Sequence, residues 1–205
     1  MSEDQSPGDR AVVSRAADGS LVVVIHIAEG SEATDLAVLV DEARSLNASA
    51  IWVFGESIDP ALGFSRTGGY ARLKAARPPA PLLLPAPPSE CVRELQTILF
   101  SGIWGRYEPV SSDCASRYVG LYERGRWVGI CQVDLITRWI DGPGVHPILR
   151  TPERSAQLVR GAAAFLPRNR PVTLETWGEQ AATIAAYRAL GFEVIEELPG
   201  WELRL

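Results

Sequence analysis

The sequence contains few of the residues from which metal centres, disulfide frameworks and histidine-based active sites are built. It has three cysteines and two histidines in 205 residues. The cysteines are far apart, odd in number and in no CxxC or Cys/His spacing. This pattern predicts reduced thiols, without a disulfide framework or a metal site. His26 and His146 have no partner residues at a functional spacing, which is more typical of structural histidines.

Positive charge and long apolar runs are also scarce. The formal net charge is -5, and Lys74 is the one lysine among 20 basic residues. A net negative charge gives no electrostatic support to nucleic-acid binding. The longest apolar runs, LVVVIHI and AAAFL, are too short to cross a bilayer, and the polar start MSEDQSPGDR is not typical of a signal peptide. We therefore expect a cytoplasmic protein that binds neither nucleic acid nor membrane.

Proline is concentrated in one segment, RPPAPLLLPAPPS, at residues 77–89. Proline can neither extend a helix nor lie centrally in a sheet. The segment therefore predicts a stiff connector with at most one edge strand, at its three leucines. It divides the chain into a first part (residues 1–76), a connector (residues 77–88) and a second part (residues 89–205).

The first part has the pattern strand, helix, strand, turn, strand. The β-branched run SLVVVIHI predicts a buried strand, and ATDLAVLVDEARSLN has apolar residues at helical spacing. AIWVFG predicts a second strand, and TGGYARLKA a last strand after the turn ALGF.

The second part predicts a longer series of elements. SECVRELQTILFSGIW is a helix with Ser89 as N-cap, and SRYVGLYERGRWVGICQVDLI is a hairpin that turns at ERGR. RWIDGPGVHP is a strand interrupted by Gly and Pro. A helix (TPERSAQLVRGAAAFL), a strand (PVTLETWG), a helix (EQAATIAAYRALG) and a closing hairpin (GFEVIEELPGWELRL) follow. This order indicates an α/β protein with a mixed sheet.

The tripeptide Leu-Gly-Phe occurs at residues 62–64 and again at residues 190–192. In both places it precedes a final strand, so that the first part is similar to the back half of the second. This similarity predicts a partial internal repeat. The alternative is that each copy is only a helix end, with Gly at the C′ position and an apolar residue after it.

The element order of the second part, ending in YRALGF, resembles the GCN5-related N-acetyltransferase (GNAT) superfamily. The most specific match is AAYRALGFEVIEELPGWEL, and VHPILRTPERSAQL stands where the family usually has V-x-P-x-x-R-x-x-G-x-G-x-x-L. The resemblance covers roughly residues 80–205. The first part resembles, through IWVFGESIDPALGF, the degenerate half of tandem members such as mycothiol synthase. The resemblance implies a mixed sheet that binds acetyl-CoA where two central parallel strands splay apart.

The resemblance also assigns a set of residues to the binding of acetyl-CoA. These residues are Val145, Arg150, Thr151, Arg154, Ser155, Ala156, Gln180 and Tyr187. The chain departs from the family pattern by placing Glu153 and Ser155 at two glycine positions, and Pro152 lacks an N–H donor. Taken by itself, TPER is a helix start, with Thr151 as N-cap and Glu153 in the first turn. The two arginines fit either pyrophosphate contacts or a solvated surface.

Three residues are candidates for the chemistry. The resemblance makes Tyr187 the acid that protonates the departing thiolate, and the alternative is a core aromatic on an amphipathic helix. Glu175 is the first choice for the base because it shares a strand face with Trp177, where partial desolvation favours proton transfer. The alternative is an exposed or paired strand glutamate. Asp141 is the second choice for the base.

These observations predict an acetyl-CoA-dependent N-acetyltransferase acting on a small primary amine, which the sequence does not identify. The alternative is a binding or assembly module that keeps the fold but has lost the phosphate loop. The oligomeric state is open between a monomer and a homodimer.

Overall fold

The computed structural model describes residues 10–15, 21–27, 36–56, 58–92, 95, 115–179 and 181–205. Within these residues nine strands form a single mixed sheet. The strands are β1 (Arg10–Arg15), β2 (Leu21–His26), β3 (Ala48–Phe54), β4 (Ser65–Ala75), β5 (Ser116–Glu123), β6 (Arg126–Asp134), β7 (Trp139–Val145), β8 (Val172–Glu179) and β9 (Glu193–Arg204). The described helices are α1 (Leu36–Ser45), α2 (residues 89–92 and 95), α3 (Pro152–Ala163) and α4 (Ala181–Ala189).

The strand order is β1-β2-β3-β9-β4-β8-β7-β6-β5. The pairs β2/β3 and β7/β8 are parallel, and all other neighbouring strands are antiparallel. The predicted mixed α/β fold is therefore confirmed. None of the described helices is long and apolar enough to span a bilayer.

The strands of the first and second parts alternate at the centre of the sheet. β4, from the first part, pairs with β8 on one side and with β9 on the other. β9, the last strand of the chain, pairs with both β4 and β3. The predicted boundary at residues 77–88 thus separates two stretches of sequence whose strands belong to one sheet. Whether the two stretches arose as a partial repeat stays a prediction.

The sheet carries helices α3 and α4 on one face of its second half. Their buried side chains pack with Ala71 and Leu73 of β4 and with Ile140 of β7 in the largest core cluster. Because side chains alternate along a strand, Tyr70 and Arg72 of β4 point to the opposite face. There Tyr70 packs with Leu198 and with residues of β2 and β3.

The proline-rich connector contains no strand, so the edge strand considered for its three leucines is absent. Residues 78–88 instead run extended against the second part. The N–H of Leu82 donates to the carbonyl of Arg160 at 3.1 Å, and the N–H of Gly120 donates to the carbonyl of Pro85 at 2.9 Å. These two bonds satisfy a carbonyl near the end of α3 and an N–H on the edge strand β5, where water or another chain would otherwise be needed.

The closing hairpin predicted for residues 191–205 is wrong, because this stretch is the single strand β9. The dipeptide Pro199-Gly200 suggested a turn. In the structure it lies where β9 gains a second neighbour: the carbonyl of Pro199 accepts from the N–H of Gly55 at 3.1 Å, and Gly200 pairs with Phe54 of β3. Pairing on both sides holds the chain extended through a sequence that would turn in isolation.

Two further details differ from the sequence prediction. Strand β1 was not predicted, because RAVVSR is short and lies next to a polar segment. Helix α2 begins at Ser89 itself, since the N–H of Val92 donates to the carbonyl of Pro88. The N-cap position therefore falls on Pro88, one residue earlier than expected.

Both Leu-Gly-Phe tripeptides end a helical turn. Gly63 closes a 3-10 turn at Pro60–Leu62 with φ 80°, and Gly191 follows α4 with φ 93°. This left-handed conformation favours glycine. The geometry agrees with the helix-end interpretation for both copies, and it leaves the repeat interpretation untested.

Candidate functional site

The two central parallel strands, β7 and β8, separate part of the way along their length. They pair at Trp139/Thr173, Ile140/Leu174 and Asp141/Glu175. Both strands then continue, to Val145 and to Glu179, without pairing to each other. Beyond Asp141, β7 stays paired with β6 and β8 stays paired with β4. A slot therefore opens between two halves of the sheet, with Asp141 and Glu175 at its closed end.

The slot has a local cause in the sequence DGPG. Gln132 of β6 pairs with Asp141 and Ile130 pairs with Gly144, so that two residues of β7 lie opposite Cys131. This bulge places Gly142 at φ 54°, a conformation that favours glycine, and Pro143 has no N–H to donate to a ladder. A bulge bends its strand, and here it directs β7 away from β8.

A polar cluster surrounds Glu175 on the sheet face opposite α3 and α4. The hydroxyl of Tyr70 donates to Glu175 Oε1 at 2.7 Å. The guanidinium of Arg72 lies 3.8 Å from the same oxygen and 3.3 Å from Glu196 Oε2. The side chains of Arg72, Glu175 and Glu196 are only 20%, 15% and 18% exposed. These groups interact in a partly desolvated environment, where charge interactions are stronger than at an open surface.

Tyr70 is a neutral donor in this cluster. Its side chain is fully buried, and burial, together with the negative charge of Glu175, raises the pKa of the phenol above its usual range. The O–H therefore remains in place to hold the carboxylate throughout the physiological range. Arg72 is stacked between rings, with its guanidinium carbon 5.5 Å from the ring centre of Trp139 and 5.9 Å from that of Tyr70.

Sequence reasoning missed Tyr70, Arg72 and Glu196. The alternation in TGGYARLKA places Tyr70 and Arg72 on one strand face, but the pattern does not indicate which strands lie beside β4. Of the sequence-predicted bases, the structure brings Glu175 and Asp141 together as direct cross-strand neighbours. Glu175 is a paired glutamate, and its partners Tyr70 and Arg72 both lie on β4, in the first part of the chain.

The N-terminus of α3, where the resemblance predicts the pyrophosphate, is saturated by its own residues. Thr151 is the N-cap, and its Oγ1 accepts from the N–H of Arg154 at 3.3 Å. The N–H of Ser155 donates to the Thr151 carbonyl at 3.2 Å. The Glu153 carboxylate accepts from its own N–H and from the Thr151 hydroxyl, and these bonds lower its pKa. Pro152 has no N–H, so the predicted helix start is confirmed. The hydroxyl of Ser155 is buried here and has no hydrogen-bond partner in the described part of the chain.

Arg154 is engaged in the same way. Its Nε and one terminal nitrogen bind both carboxylate oxygens of Glu123 at 3.0 and 2.9 Å, and the other nitrogen donates to the Leu149 carbonyl at 2.8 Å. These hydrogen bonds lower the pKa of Glu123. The pair borders a pocket of about 160 Å³ that Arg124, Arg126 and Val128 also line. A bidentate arginine–carboxylate pair is a well-formed contact that an incoming phosphate has to replace.

The remaining predicted cofactor residues lie around the slot and along α3. Val145 and Ser155 are fully buried, whereas Arg150 and Ala156 are half-buried. Tyr187 is fully buried and belongs to the same core cluster as Val145 and Ile184. Gln180 lies outside the described residues. The assignment of these residues to acetyl-CoA stays a prediction.

No family model and no curated protein matches the sequence. Several solved structures share its fold at low sequence identity. A protein from Novosphingobium aromaticivorans that is assigned to the GNAT family of acetyltransferases has a TM-score of 0.51 at 18% identity, over 87% of this chain and 82% of the other. A GCN5-related N-acetyltransferase from Sphaerobacter thermophilus has a TM-score of 0.53 at 15% identity, over 96% of this chain and 76% of the other.

A third structure, from Pyrococcus horikoshii and assigned as an acetyltransferase, has a TM-score of 0.53 at 10% identity, over 98% of this chain and 71% of the other. At such low sequence identities, the similarity to these structures shows only that the folds are alike. The chain therefore has the fold of the GCN5-related N-acetyltransferases. The two central parallel strands of this chain separate, as the resemblance implied.

Proposed function

We propose that the protein is an N-acyltransferase that moves an acetyl group from acetyl-CoA to a small primary amine. The observation that carries this proposal is the end of the β7–β8 pairing at Asp141 and Glu175. Beyond that point two strands present main-chain groups to a slot rather than to each other. The amides of a pantetheine arm are suited to replace the missing ladder bonds.

The reaction needs one bond formed, one bond broken and two proton movements. The amine nitrogen attacks the thioester carbonyl carbon, a C–N bond forms, and the C–S bond breaks. The proton that the amine loses passes to a base, and the thiolate that leaves takes up a proton. An ammonium ion is not a nucleophile, so a base must first remove one proton from it. The amine loses a second proton after the attack, which matches the proton that the thiolate takes up. A carboxylate near the closed end of the slot is the candidate for the base.

Glu175 is our choice for the base, and Asp141, its cross-strand neighbour, is the second choice. Tyr70 fixes the Glu175 carboxylate through its 2.7 Å hydrogen bond, and the guanidinium of Arg72 lies 3.8 Å from the same oxygen. Main-chain N–H groups of β7 beyond Asp141 are the candidates for polarising the thioester carbonyl. Tyr187 remains our choice for the acid that protonates the thiolate.

The charge around the site favours a cationic acceptor. Among the described residues, the carboxylates of Glu175 and Glu196 both contact the guanidinium of Arg72, and Asp141 is the cross-strand neighbour of Glu175. A local excess of negative charge raises the concentration of ammonium compounds and disfavours anionic acceptors. Polyamines and amino sugars belong to this class of acceptor, whereas free amino acids carry a competing carboxylate.

The phosphates of CoA fit this chain less well than the pantetheine arm does. The first turn of α3 has no unused N–H, Glu153 adds a negative charge at the helix start, and Glu123 neutralises Arg154. We therefore assign no catalytic step and no essential contact to the pyrophosphate.

The test is transfer itself. The purified full-length chain is incubated with acetyl-CoA and a panel of primary amines, and thiol release is followed together with the mass of the acetylated product. We expect release above the hydrolysis background with at least one cationic amine. A panel without any transfer, combined with no binding of acetyl-CoA by calorimetry, would contradict the proposal and would favour a binding module.

A further inference from the structure

The first turn of α3 is an anion site that the chain itself has already filled. Pro152 has no N–H, the N–H of Arg154 donates to the Thr151 hydroxyl, and the N–H of Ser155 donates to the Thr151 carbonyl. The exposed carboxylate of Glu153 adds a negative charge at the same turn. The Ser155 hydroxyl is fully buried and has no hydrogen-bond partner in the described part of the chain. A phosphate at this helix end would have to displace Glu153 before it gained a single main-chain hydrogen bond.

Beside the helix end, Arg154 is paired with Glu123, and Arg124 and Arg126 line the same pocket. Arg154 uses its Nε and both terminal nitrogens on Glu123 and on the Leu149 carbonyl. Replacing the Glu123 carboxylate by a phosphate exchanges one anion for another. The gain from such an exchange is much smaller than the gain from filling an unoccupied cationic site.

The slot, in contrast, remains competent for a ligand that needs no positive charge. Its walls are the unpaired lengths of β7 and β8, and Pro143, Gly144 and Val145 on the β7 side are buried. Main-chain amides beside these buried residues are suited to bind the two amide groups and the alkyl segments of a pantetheine arm. The phosphates and the nucleotide lie outside this part of the ligand.

We propose that the protein recognises its acyl donor through the pantetheine arm and the thioester, and gains little from the nucleotide, so that its donors are acyl-pantetheine thioesters as a class. This inference rests on the proposed function. The inference concerns which part of the donor the protein binds, and it can be tested separately from whether the acceptor is an amine.

The experiment compares acetyl-CoA with S-acetylpantetheine, which has the same arm and thioester but no phosphate. kcat/KM is measured for both donors with one amine from the panel. If three charge-assisted hydrogen bonds held the phosphates, acetyl-CoA would be favoured by about a thousandfold or more. We expect a preference of less than about tenfold, and a larger preference would overturn the inference. Any contact that Arg124 or Arg126 makes with the phosphates also contributes to the measured preference, because acetyl-CoA carries all its phosphates.

A pair of substitutions tests the stated cause. In the double variant Glu153→Gly/Glu123→Gln, a main-chain N–H and the Arg154 guanidinium become available. We expect kcat/KM for acetyl-CoA to rise by about tenfold or more, with the value for S-acetylpantetheine unchanged. Glu193→Gln, which removes an exposed charge on β9, is the matched control and leaves both values unchanged. A double variant that melts cooperatively and keeps the wild-type ratio would contradict the inference.

Failure of the proposed function is recognised separately. If no amine is acetylated from either donor, calorimetric titration with CoA and with pantetheine replaces the kinetic comparison. Dissociation constants within about tenfold of each other support recognition through the arm. Binding of CoA alone contradicts it, whatever the protein does with the bound thioester.

Discussion

The hydroxyl of Tyr70 donates to Oε1 of Glu175 at 2.7 Å, although the two residues are 105 positions apart in the chain. The bond joins a strand of the first part to a strand of the second part. It depends on the position of β4 between β8 and β9. The geometry of the candidate base is therefore set by a residue that lies outside the stretch with the acetyltransferase resemblance.

Substituting Tyr70→Phe should slow turnover with little change in the KM of either substrate. The ring remains, and only the donor to the Glu175 carboxylate is lost. Hydrogen bonds to charged groups contribute about 1.5–3 kcal/mol, so that we expect kcat to fall about 10- to 100-fold. The control is Tyr122→Phe, because the Tyr122 side chain on β5 is about half exposed and lies outside the candidate site. This variant should retain the wild-type rate.

The pH profile of kcat/KM distinguishes a catalytic from a merely structural effect of the same substitution. Loss of a bond to the ionised carboxylate disfavours ionisation, so that the acid limb should move to higher pH. Arg72, Asp141 and Glu196 also face Glu175 and remain in the variant. A profile that falls uniformly at all pH values would indicate only a structural defect.

The raised pKa of Tyr70 predicts a loss of stability in alkali. In the unfolded chain the phenol loses its proton near pH 10, whereas in the folded protein it stays protonated at that pH. Stability is therefore fully present below pH 10 and is lost above it, by up to about 1.4 kcal/mol per pH unit. The free energy of unfolding, measured between pH 8 and 11 by urea titration, should fall less steeply in Tyr70→Phe than in the wild type.

The two candidate bases are separated by isosteric substitutions. Glu175→Gln should reduce kcat by about 10²- to 10⁴-fold, the usual contribution of a general base, while Asp141→Asn should have a smaller effect. Each variant is checked for a cooperative thermal transition, because both side chains lie in a partly buried cluster. The reverse order of the two effects would transfer the role of the base to Asp141.

Tyr187→Phe tests the acid. Because the side chain is fully buried, the substitution keeps the core packing and removes one hydroxyl. We expect a lower kcat with an unchanged dissociation constant for CoA. An unchanged rate would mean that Tyr187 is only a core aromatic, packed in the same cluster as Ile184.

The position of β4 predicts that residues 77–205 do not fold alone. Without β4, strands β8 and β9 each lose a central neighbour, and the fully buried Leu73 leaves the core. We expect this fragment to be insoluble or to lack a cooperative transition, and co-expression with residues 1–76 to restore it. As the control, residues 1–76 with Leu73→Asp are co-expressed in the same way. They should not restore folding of the 77–205 fragment, because a charged side chain cannot replace the buried Leu73. A cooperatively folded 77–205 fragment would contradict this prediction.

Much of the local structure could be predicted because its causes are local. The spacing of apolar residues identified α1, α3 and α4, and the alternation around ERGR identified the hairpin of β5 and β6. The sequence TPE specified the start of α3 with the correct cap residue. In each case the interactions that stabilise the element join residues a few positions apart.

The prediction failed where pairing between distant segments outweighed local preference. Pro199-Gly200 suggested a turn, yet β9 continues through it because β3 and β4 hold the chain on both sides. The three leucines of the connector suggested a strand, yet the surrounding prolines leave too few N–H groups for a ladder.

By itself, the sequence determined the kind and order of most elements, the interruption of β7 at its Gly and Pro residues, and the start of α3 at Thr151 and Pro152. These features depend on dihedral preferences and on neighbouring donors and acceptors, which a short stretch of sequence already contains. Only the tertiary structure decided that β4 lies between β8 and β9, and hence that Tyr70 and Arg72 meet Glu175 and Glu196. A two-residue period specifies which side chains share a face, but the neighbour of a strand is chosen by packing of the whole sheet.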